Sequence, residues 1–109
     1  MTSAIIANLE KLLDGPRDGA LLRYSLGNEW RKAGDPAQAA KHLRSAVERD
    51  PTYSAAWKLL GRALAESGDE QAALAAYQQG ITAAQTRGDI QAAKEMAVFA
   101  KRLSKQPAG

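Results

Sequence analysis

The chain contains 109 residues, of which 15 are basic and 12 acidic, so its formal net charge at neutral pH is +3. This length is that of one domain. The absence of cysteine excludes a disulfide framework, thiolate metal ligands and cysteine nucleophiles. Apolar residues make up 45% of the chain but aromatic residues only 6%, and alanine supplies much of the balance, which favours helices over strands.

The first predicted element is an amphipathic cap helix over residues 3–14. Its apolar residues recur at helical spacing and form one stripe: Ile5, Ile6, Leu9, Leu12 and Leu13. Ser3 is the expected N-cap, and Gly15-Pro16 is the expected stop. The first eight residues carry no basic side chain, and no apolar stretch approaches the roughly 20 residues that a membrane helix requires, so we expect a cytoplasmic protein.

A helical hairpin is predicted over residues 18–51, with its first helix over 18–33. The apolar stripe of this helix consists of Leu22, Leu26, Trp30 and Ala33. Gly34 tolerates the positive φ of a helix end, and Asp35 follows as the N-cap of a second helix over 36–49.

A second hairpin is predicted over residues 52–87, with helices over about 52–67 and 70–86. Asp50-Pro51 is expected to cap its first helix, and Gly68-Asp69 is expected to separate the two helices. The connection between them is short, so consecutive helices should run antiparallel.

The last predicted element is a C-terminal cap helix over residues 89–104. It follows a break at Gly88 and carries apolar residues at helical spacing. Residues 106–109 are expected to be disordered. The prediction for the whole chain is therefore six helices and no strands.

Equivalent residues of the two hairpins are separated by a constant 34 residues. Leu26-Gly27 maps onto Leu60-Gly61, and the turn Gly34-Asp35 maps onto Gly68-Asp69. A period of this length is typical of a stacked array, in which each unit buries an apolar face against its neighbour. The predicted fold class is therefore all-α, with antiparallel helix hairpins stacked as a short solenoid.

The two hairpins resemble tetratricopeptide repeats. In the second hairpin the residues that carry the resemblance are Trp57, Leu60-Gly61, Leu64, Ala73, Tyr77 and Gly80. In the first they are Tyr24, Leu26-Gly27, Trp30, Ala39, Leu43, Ala46 and Pro51. The pattern fails at Arg23, where the family has an aromatic residue, and at Gln85, where it has proline. The resemblance implies a small bacterial-type protein with two full repeats between cap helices, forming a right-handed solenoid that binds other proteins without catalysis.

Small residues should allow the two helices of each hairpin to approach closely. Gly27 and Gly61 lie where a β-carbon would push the helices apart, and Ala39 and Ala73 are expected to face them. Trp57 is expected in the core, where its truncation to alanine would cost about 3–5 kcal/mol.

The resemblance implies that the first helix of each hairpin lines a concave groove. The residues expected there are Leu21, Tyr24, Asn28, Arg31 and Lys32 in the first repeat, and Ala55, Lys58 and Arg62 in the second. This mildly basic surface suits a peptide or partner segment that bears carboxylates. The alternative is that these residues form ordinary solvated helix faces.

Other side chains capable of chemistry are assigned structural roles. His42 is the only histidine, and we expect it to point outward without a convincing catalytic partner. Glu66, Asp69 and Glu70 cluster at one turn, but Asp69 acts as an N-cap and Glu70 favours the positive end of the following helix. We therefore predict no catalytic, cofactor-binding or metal-binding residues.

Two alternative functions remain open from the sequence. The chain could be a structural unit that self-associates through its first and last helices, or it could bind RNA or an anionic surface through the basic residues of 87–105. Phe99 and Val98 could form an apolar edge for self-association, or Phe99 could fold back on the second hairpin. We expect a protein or peptide partner, favour neither membrane nor nucleic acid, and expect a monomer or weak homo-oligomer.

Overall fold

The computed structural model describes residues 3–105, which form six α-helices and no strand. The prediction for residues 106–109 lies outside this range. The helices are α1 Ala4–Glu10, α2 Ala20–Lys32, α3 Pro36–Arg49, α4 Ser54–Glu66, α5 Glu70–Arg87 and α6 Ile90–Ser104. α2 pairs with α3 and α4 with α5 as hairpins; α1 packs on α2, and α6 packs on α5 and α4. The result is a slab of 40 × 34 × 18 Å, so the predicted all-α stacked architecture is confirmed.

The helices α3, α5 and α6 begin with the same type of N-cap, an aspartate that follows a glycine. Asp35, Asp69 and Asp89 each accept a hydrogen bond from the backbone N–H three residues later, at 3.1, 3.2 and 3.1 Å. The glycine before each aspartate has a positive φ, between 75° and 90°, which side chains with a β-carbon rarely adopt. These caps end one helix and start the next within a few residues, which forces each pair to be antiparallel.

The first helix is shorter than predicted. It ends at Glu10, because the N–H groups of Leu12 and Leu13 make hydrogen bonds of the tighter three-residue type, to the carbonyls of Leu9 at 3.0 Å and of Glu10 at 3.2 Å. Leu12 and Leu13 still pack against the buried side chains of α1 and α2. The predicted N-cap is confirmed, since Ser3 Oγ accepts from the Ile6 N–H at 3.1 Å.

Asp50 does not cap the fourth helix as predicted. Its carboxylate accepts from the N–H and the hydroxyl of Thr52, at 3.1 and 2.9 Å, which closes a tight turn around Pro51. The helix therefore begins two residues later than expected, at Ser54. Arg87, from the end of α5, donates to the other oxygen of Asp50 at 3.2 Å and attaches this turn to the second hairpin.

Each hairpin has a buried glycine whose missing β-carbon leaves space for a large side chain, and we call this space the glycine socket. A β-carbon at Gly27 would overlap the side chain of Leu43, and one at Gly61 would lie 2.5 Å from Cε1 of Tyr77. Both glycines are buried, as expected. Ala39 and Ala73, which were predicted to face these glycines, are both buried. The atoms nearest to each missing β-carbon belong to the large residue one turn later, Leu43 or Tyr77.

Trp57 packs at the joint between the second hairpin and α6. Its Cβ would lie 2.7 Å from a β-carbon at Gly80, and its ring contacts two of the three apolar clusters. The residue is half-buried, and its indole N–H donates to the backbone carbonyl of Pro51 at 2.8 Å. The expected core position is therefore realised in part, and the cost of truncation remains a prediction.

Candidate functional site

The first helices of the two hairpins enclose a depression of about 230 Å³ between α2 and α4. The residues that line this α2–α4 groove are Tyr24, Ala55, Lys58, Leu59 and Arg62. Four members of the predicted groove set line it: Tyr24, Ala55, Lys58 and Arg62. The other four do not: Leu21, Asn28, Arg31 and Lys32. Leu59 was not among the predicted residues, although its position four residues after Ala55, on the same face of α4, was a usable signal.

Tyr24 forms the aromatic wall of the groove. Tyr24, on α2, packs its ring against that of Tyr53, the residue preceding α4, with the centroids 5.1 Å apart and the planes at 33°. Burial raises the pKa of Tyr53, and the neighbouring Tyr24 acts in the same direction. The Tyr53 phenol therefore remains neutral at physiological pH, and both rings offer hydroxyl groups beside an apolar surface.

Arg31 is held by an ion pair beyond the groove. Its Nε and Nη2 donate to the two carboxylate oxygens of Glu66 on α4, both at 2.9 Å. This two-pronged pairing connects α2 to α4 and uses the geometry in which guanidinium binds carboxylate best. Lys32 pairs with Glu29 of its own helix at 3.3 Å. The structure therefore gives both cations internal partners.

Lys58 reaches from the groove toward the last helix. Its Nζ lies 3.1 Å from Oε2 of Glu95 on α6. Glu66 and Glu95 were not predicted as neighbours of these cations, because 35 and 37 residues separate the partners in sequence. Only the stacking of α2, α4 and α6 brings them together.

Arg62 differs from the other cations of the groove. It is exposed, lies one turn after Lys58 on the same helix, and makes no ion pair within 4 Å in the described residues 3–105. Its charge acts on Tyr77, whose pKa is raised by burial and lowered in smaller part by Arg62. A positively charged donor thus stands beside the apolar wall formed by Ala55 and Leu59.

His42 is buried rather than outward-facing, so that prediction was wrong. It lies on the face of α3 that carries the buried residues of the core. Burial lowers its pKa, and the positive charges of Arg23 and Lys41 act in the same direction. The imidazole is therefore neutral at pH 7 and contributes to packing rather than to a surface charge.

Glu66 and Asp69, from the acidic cluster around the turn between α4 and α5, have structural partners. Asp69 caps α5, and Glu66 pairs with Arg31. Within residues 3–105, no group of three or more histidine, aspartate or glutamate side chains has the arrangement of a metal site.

Phe99 folds back on the second hairpin, which confirms one of its two predicted positions. Its ring stacks on Tyr77, with the centroids 5.5 Å apart and the planes at 27°, and the Arg102 guanidinium lies 5.9 Å from the Phe99 centroid. The buried side of α6 therefore includes Met96 and Phe99, while Val98 is exposed. Among the described residues, no helix combines the length and the apolar character needed to span a bilayer.

Comparison with known proteins agrees with this geometry. TPR repeat-containing protein PA0015 of Pseudomonas aeruginosa is 50% identical over 101 residues, which cover 93% of this chain and 96% of that protein. The solution structure of protein BPP2914 from Bordetella parapertussis superposes with a TM-score of 0.78 at 43% identity, covering 95% of this chain and 90% of that one.

A tetratricopeptide repeat domain protein from Salinibacter ruber supports the fold alone. Its solution structure has a TM-score of 0.76 at 24% identity and covers 88% of this chain and 96% of that one. The family model for the tetratricopeptide repeat matches residues 24–90, from within α2 to the first residue of α6. Repeats of this kind generally mediate protein–protein interactions and are generally not catalytic. Matched over most of its length by sequence and by structure, the chain belongs to the tetratricopeptide repeat family.

Proposed function

We propose that this protein binds a short segment of a partner protein in the α2–α4 groove and that Arg62 pairs with a carboxylate of that segment. The observation that carries the proposal is the exposed guanidinium of Arg62, which has no ion-pair partner in residues 3–105 and stands beside an apolar surface. No catalysis is involved.

The composition of the groove supports a peptide with mixed chemistry. Ala55 and Leu59 offer apolar contacts, and Tyr24 offers a rigid ring with a polar end. Aromatic residues and arginine contribute most strongly to protein interfaces, because they combine contact area with directional hydrogen bonds. A segment with an apolar residue next to an aspartate or glutamate would satisfy both parts of the groove.

Lys58 supports the same proposal, because it can exchange its own ion-pair partner for a carboxylate of the bound segment. Its ion pair with Glu95 is partly exposed, with 31% of the lysine side chain and 42% of the glutamate side chain accessible. Such pairs contribute little to stability, so a partner carboxylate could replace Glu95 at low cost. Arg31 is a poorer candidate, because its two-pronged pair with Glu66 would have to be broken.

Selection from a displayed library of random peptides tests the proposal, with the full chain immobilised. Enriched peptides are expected to carry an acidic residue near an apolar one. Their affinity should fall by about tenfold or more for Arg62→Glu, which corresponds to about 1.4 kcal/mol. Lysine in place of the peptide's acidic residue should restore binding to Arg62→Glu.

Arg44→Glu is the matched control. Arg44 is an exposed arginine on α3 that does not line the groove, so its reversal changes the net charge equally and should leave binding intact. Selected peptides without acidic enrichment, or equal binding by the Arg62→Glu variant, would contradict the proposed site.

A further inference from the structure

The last helix occupies the place of the first helix of a third hairpin. α6 packs against α5 as α4 packs against α3, and it contacts α4 as α4 contacts α2. The correspondence extends to single residues, because Met96 is buried on α6 as Leu60 is on α4. Ala97, the next residue, therefore stands at the position of Gly61, where the second helix of a hairpin packs.

Equivalent positions of α4 and α6 differ sharply in exposure. Gly61 is buried beneath α5, whereas Ala97 is exposed. Ser54, the first residue of α4, is 8% exposed, while Ile90, the first residue of α6, is 65% exposed. None of the six described helices covers α6 on this side, so the face that would form the interior of a hairpin is open.

An apolar depression of about 290 Å³ lies on this open face, between α5 and α6. It is lined by Ile81, Gln85, Ile90, Ala93, Lys94 and Ala97. Ile81 is half-buried, although Val47, its counterpart 34 residues earlier, is buried. The depression thus lies where the second helix of a third hairpin would pack.

The first helix has the converse deficiency. α1 packs on α2 as α3 packs on α4, so it stands in the place of a second helix without its own first helix. The 34-residue period places Ile5 and Leu9 at the positions of Ala39 and Leu43, which are buried in the first hairpin. Ile5 is 55% exposed. α1 therefore presents an apolar ridge at one end of the slab.

We propose that these two ends bind each other between copies of this chain. α1 of one copy would lie along the depression on α6 of the next, with Ile5 beside Ala97, and would complete a hairpin across the contact. Because two different surfaces meet, the contact is head-to-tail and can repeat, so it builds linear oligomers rather than a closed dimer. The inference goes beyond the proposed peptide binding, since none of the residues lining the α2–α4 groove lies on either end.

The charges of the two ends favour a second copy as the occupant. The exposed side of α6 carries Lys94 and Lys101, whereas α1 itself carries a single charged residue, the exposed Glu10. The exposed charges that follow α1 are of both signs: Lys11, Asp14 and Arg17. Head-to-tail contact brings the carboxylate of Glu10 toward a basic rim. Contact between two α6 helices would instead bring like charges together, which disfavours that arrangement.

Sedimentation velocity over a concentration series from about 10 µM to about 1 mM covers the affinities expected of such a small contact. The protein is expected to shift from monomer toward dimers and larger species as concentration rises. A chain that remains monomeric at about 1 mM overturns the proposal.

Two variants block opposite ends. Ala97→Glu places a carboxylate in the depression, and Ile5→Glu places one on the ridge, so each variant alone should remain monomeric. Mixed in equal amounts, the two should form a heterodimer and nothing larger, because the first retains an intact ridge and the second an intact depression. If Ile5→Glu associates like the unmodified chain, or the mixture remains monomeric, the head-to-tail contact is disproved.

Ala75→Glu is the matched control, because Ala75 is exposed on α5 and lines neither end. It should associate like the unmodified chain; equal loss of association in this variant would overturn the assignment. Ile90→Lys is a second variant of the depression and should also be monomeric. Circular dichroism and the Tm of each variant establish that it is folded.

Discussion

The two complete hairpins share one frame and differ in what fills it. The glycine socket of the α2–α3 hairpin holds Leu43, and that of the α4–α5 hairpin holds Tyr77. Leu43 belongs to the aliphatic cluster that both hairpins share, whereas Tyr77 stacks on Phe99 and joins a separate cluster with α6. The same period therefore accommodates a shared aliphatic core in one place and an aromatic joint to the next helix in another.

A second difference explains where the family pattern fails. Arg23 stands at the position of Trp57, and its Nη2 lies 2.6 Å from Oδ2 of Asp18 in the turn before α2. This hydrogen bond is the main reason that the pKa of Asp18 is held well below its usual range. The first hairpin has an ion pair where the second has an indole ring, because different segments precede the two hairpins.

The largest expected losses of stability follow truncation of Tyr77 and Leu43, the side chains that fill the space at the two buried glycines. Tyr77→Ala should destabilise the protein by about 3–5 kcal/mol and Leu43→Ala by about 2–5 kcal/mol, because each leaves a cavity in the core. Tyr77→Ala should also loosen α6, since Phe99 loses its stacking partner. Urea unfolding measures the free energies, and amide hydrogen exchange along α6 should rise only for Tyr77→Ala. Equal exchange in both variants would remove the distinction between the joints.

Filling the sockets is the next largest change. Gly61→Ala should destabilise by about 1–3 kcal/mol, because overlap with the Tyr77 ring outweighs the gain in helix propensity of about 1 kcal/mol. Gly27→Ala should cost less, since Leu43 can rotate while the Tyr77 ring is held against Phe99. Thermal unfolding of the pair is the measurement. A stabilised Gly61→Ala variant would show that the socket is not tight.

The pH dependence of folding stability near neutrality should come from the first hairpin. Burial lowers the pKa of His42 in the folded protein, Arg23 and Lys41 reinforce the shift, and Glu10 opposes it. Because the unfolded chain binds this proton more readily, the contribution is complete above about pH 6.5 and is lost as pH falls below it.

The comparison for this prediction is the Tm at about pH 7.5 and about pH 5.5. The unmodified chain should lose more stability over this interval than His42→Gln. The second hairpin has Ala76 at the equivalent position, so a matching pH response there has no source. Parallel losses in the two proteins would assign the pH dependence to other groups.

The smallest effect concerns the ion pairs between first helices. A double-mutant cycle on Arg31 and Glu66 should give about 0.2–1 kcal/mol, the range of exposed pairs. The pair between Lys58 and Glu95 makes one hydrogen bond instead of two and should lie at the lower end. Guanidinium unfolding would mask these charges, so urea is the denaturant of choice. A stronger second pair would reverse the order assigned here.

The local signals of the sequence predicted most of the fold. Gly34-Asp35 and Gly68-Asp69 specify helix ends through φ preference and side-chain capping, which act within a few residues. The equal spacing of these turns was sufficient for stacked hairpins. Predictions were weaker where two local signals compete, as at Asp50-Pro51, whose carboxylate closes a turn instead of capping a helix.

The candidate site was predicted less completely. The resemblance to the family was enough to place Tyr24, Lys58 and Arg62 on the groove side of the first helices, and the structure brings these three into one groove. It did not distinguish them from Arg31, which has the same charge and a similar position. Arg31 differs from them because it is paired with Glu66, and no local sequence pattern connects Glu66 to Arg31.

The sequence by itself therefore determined the number of helices, their turns and the glycine sockets, because these depend on backbone preference and side-chain size at fixed spacing. The tertiary structure decided which cations are paired, which rings stack and which helix faces stay open. The ion pairs between first helices join residues 35 and 37 positions apart, and the ring contacts Tyr24–Tyr53 and Tyr77–Phe99 also join separate parts of the sequence, so both form only when the hairpins stack. α1 and α6 are open because each packs as half of a hairpin.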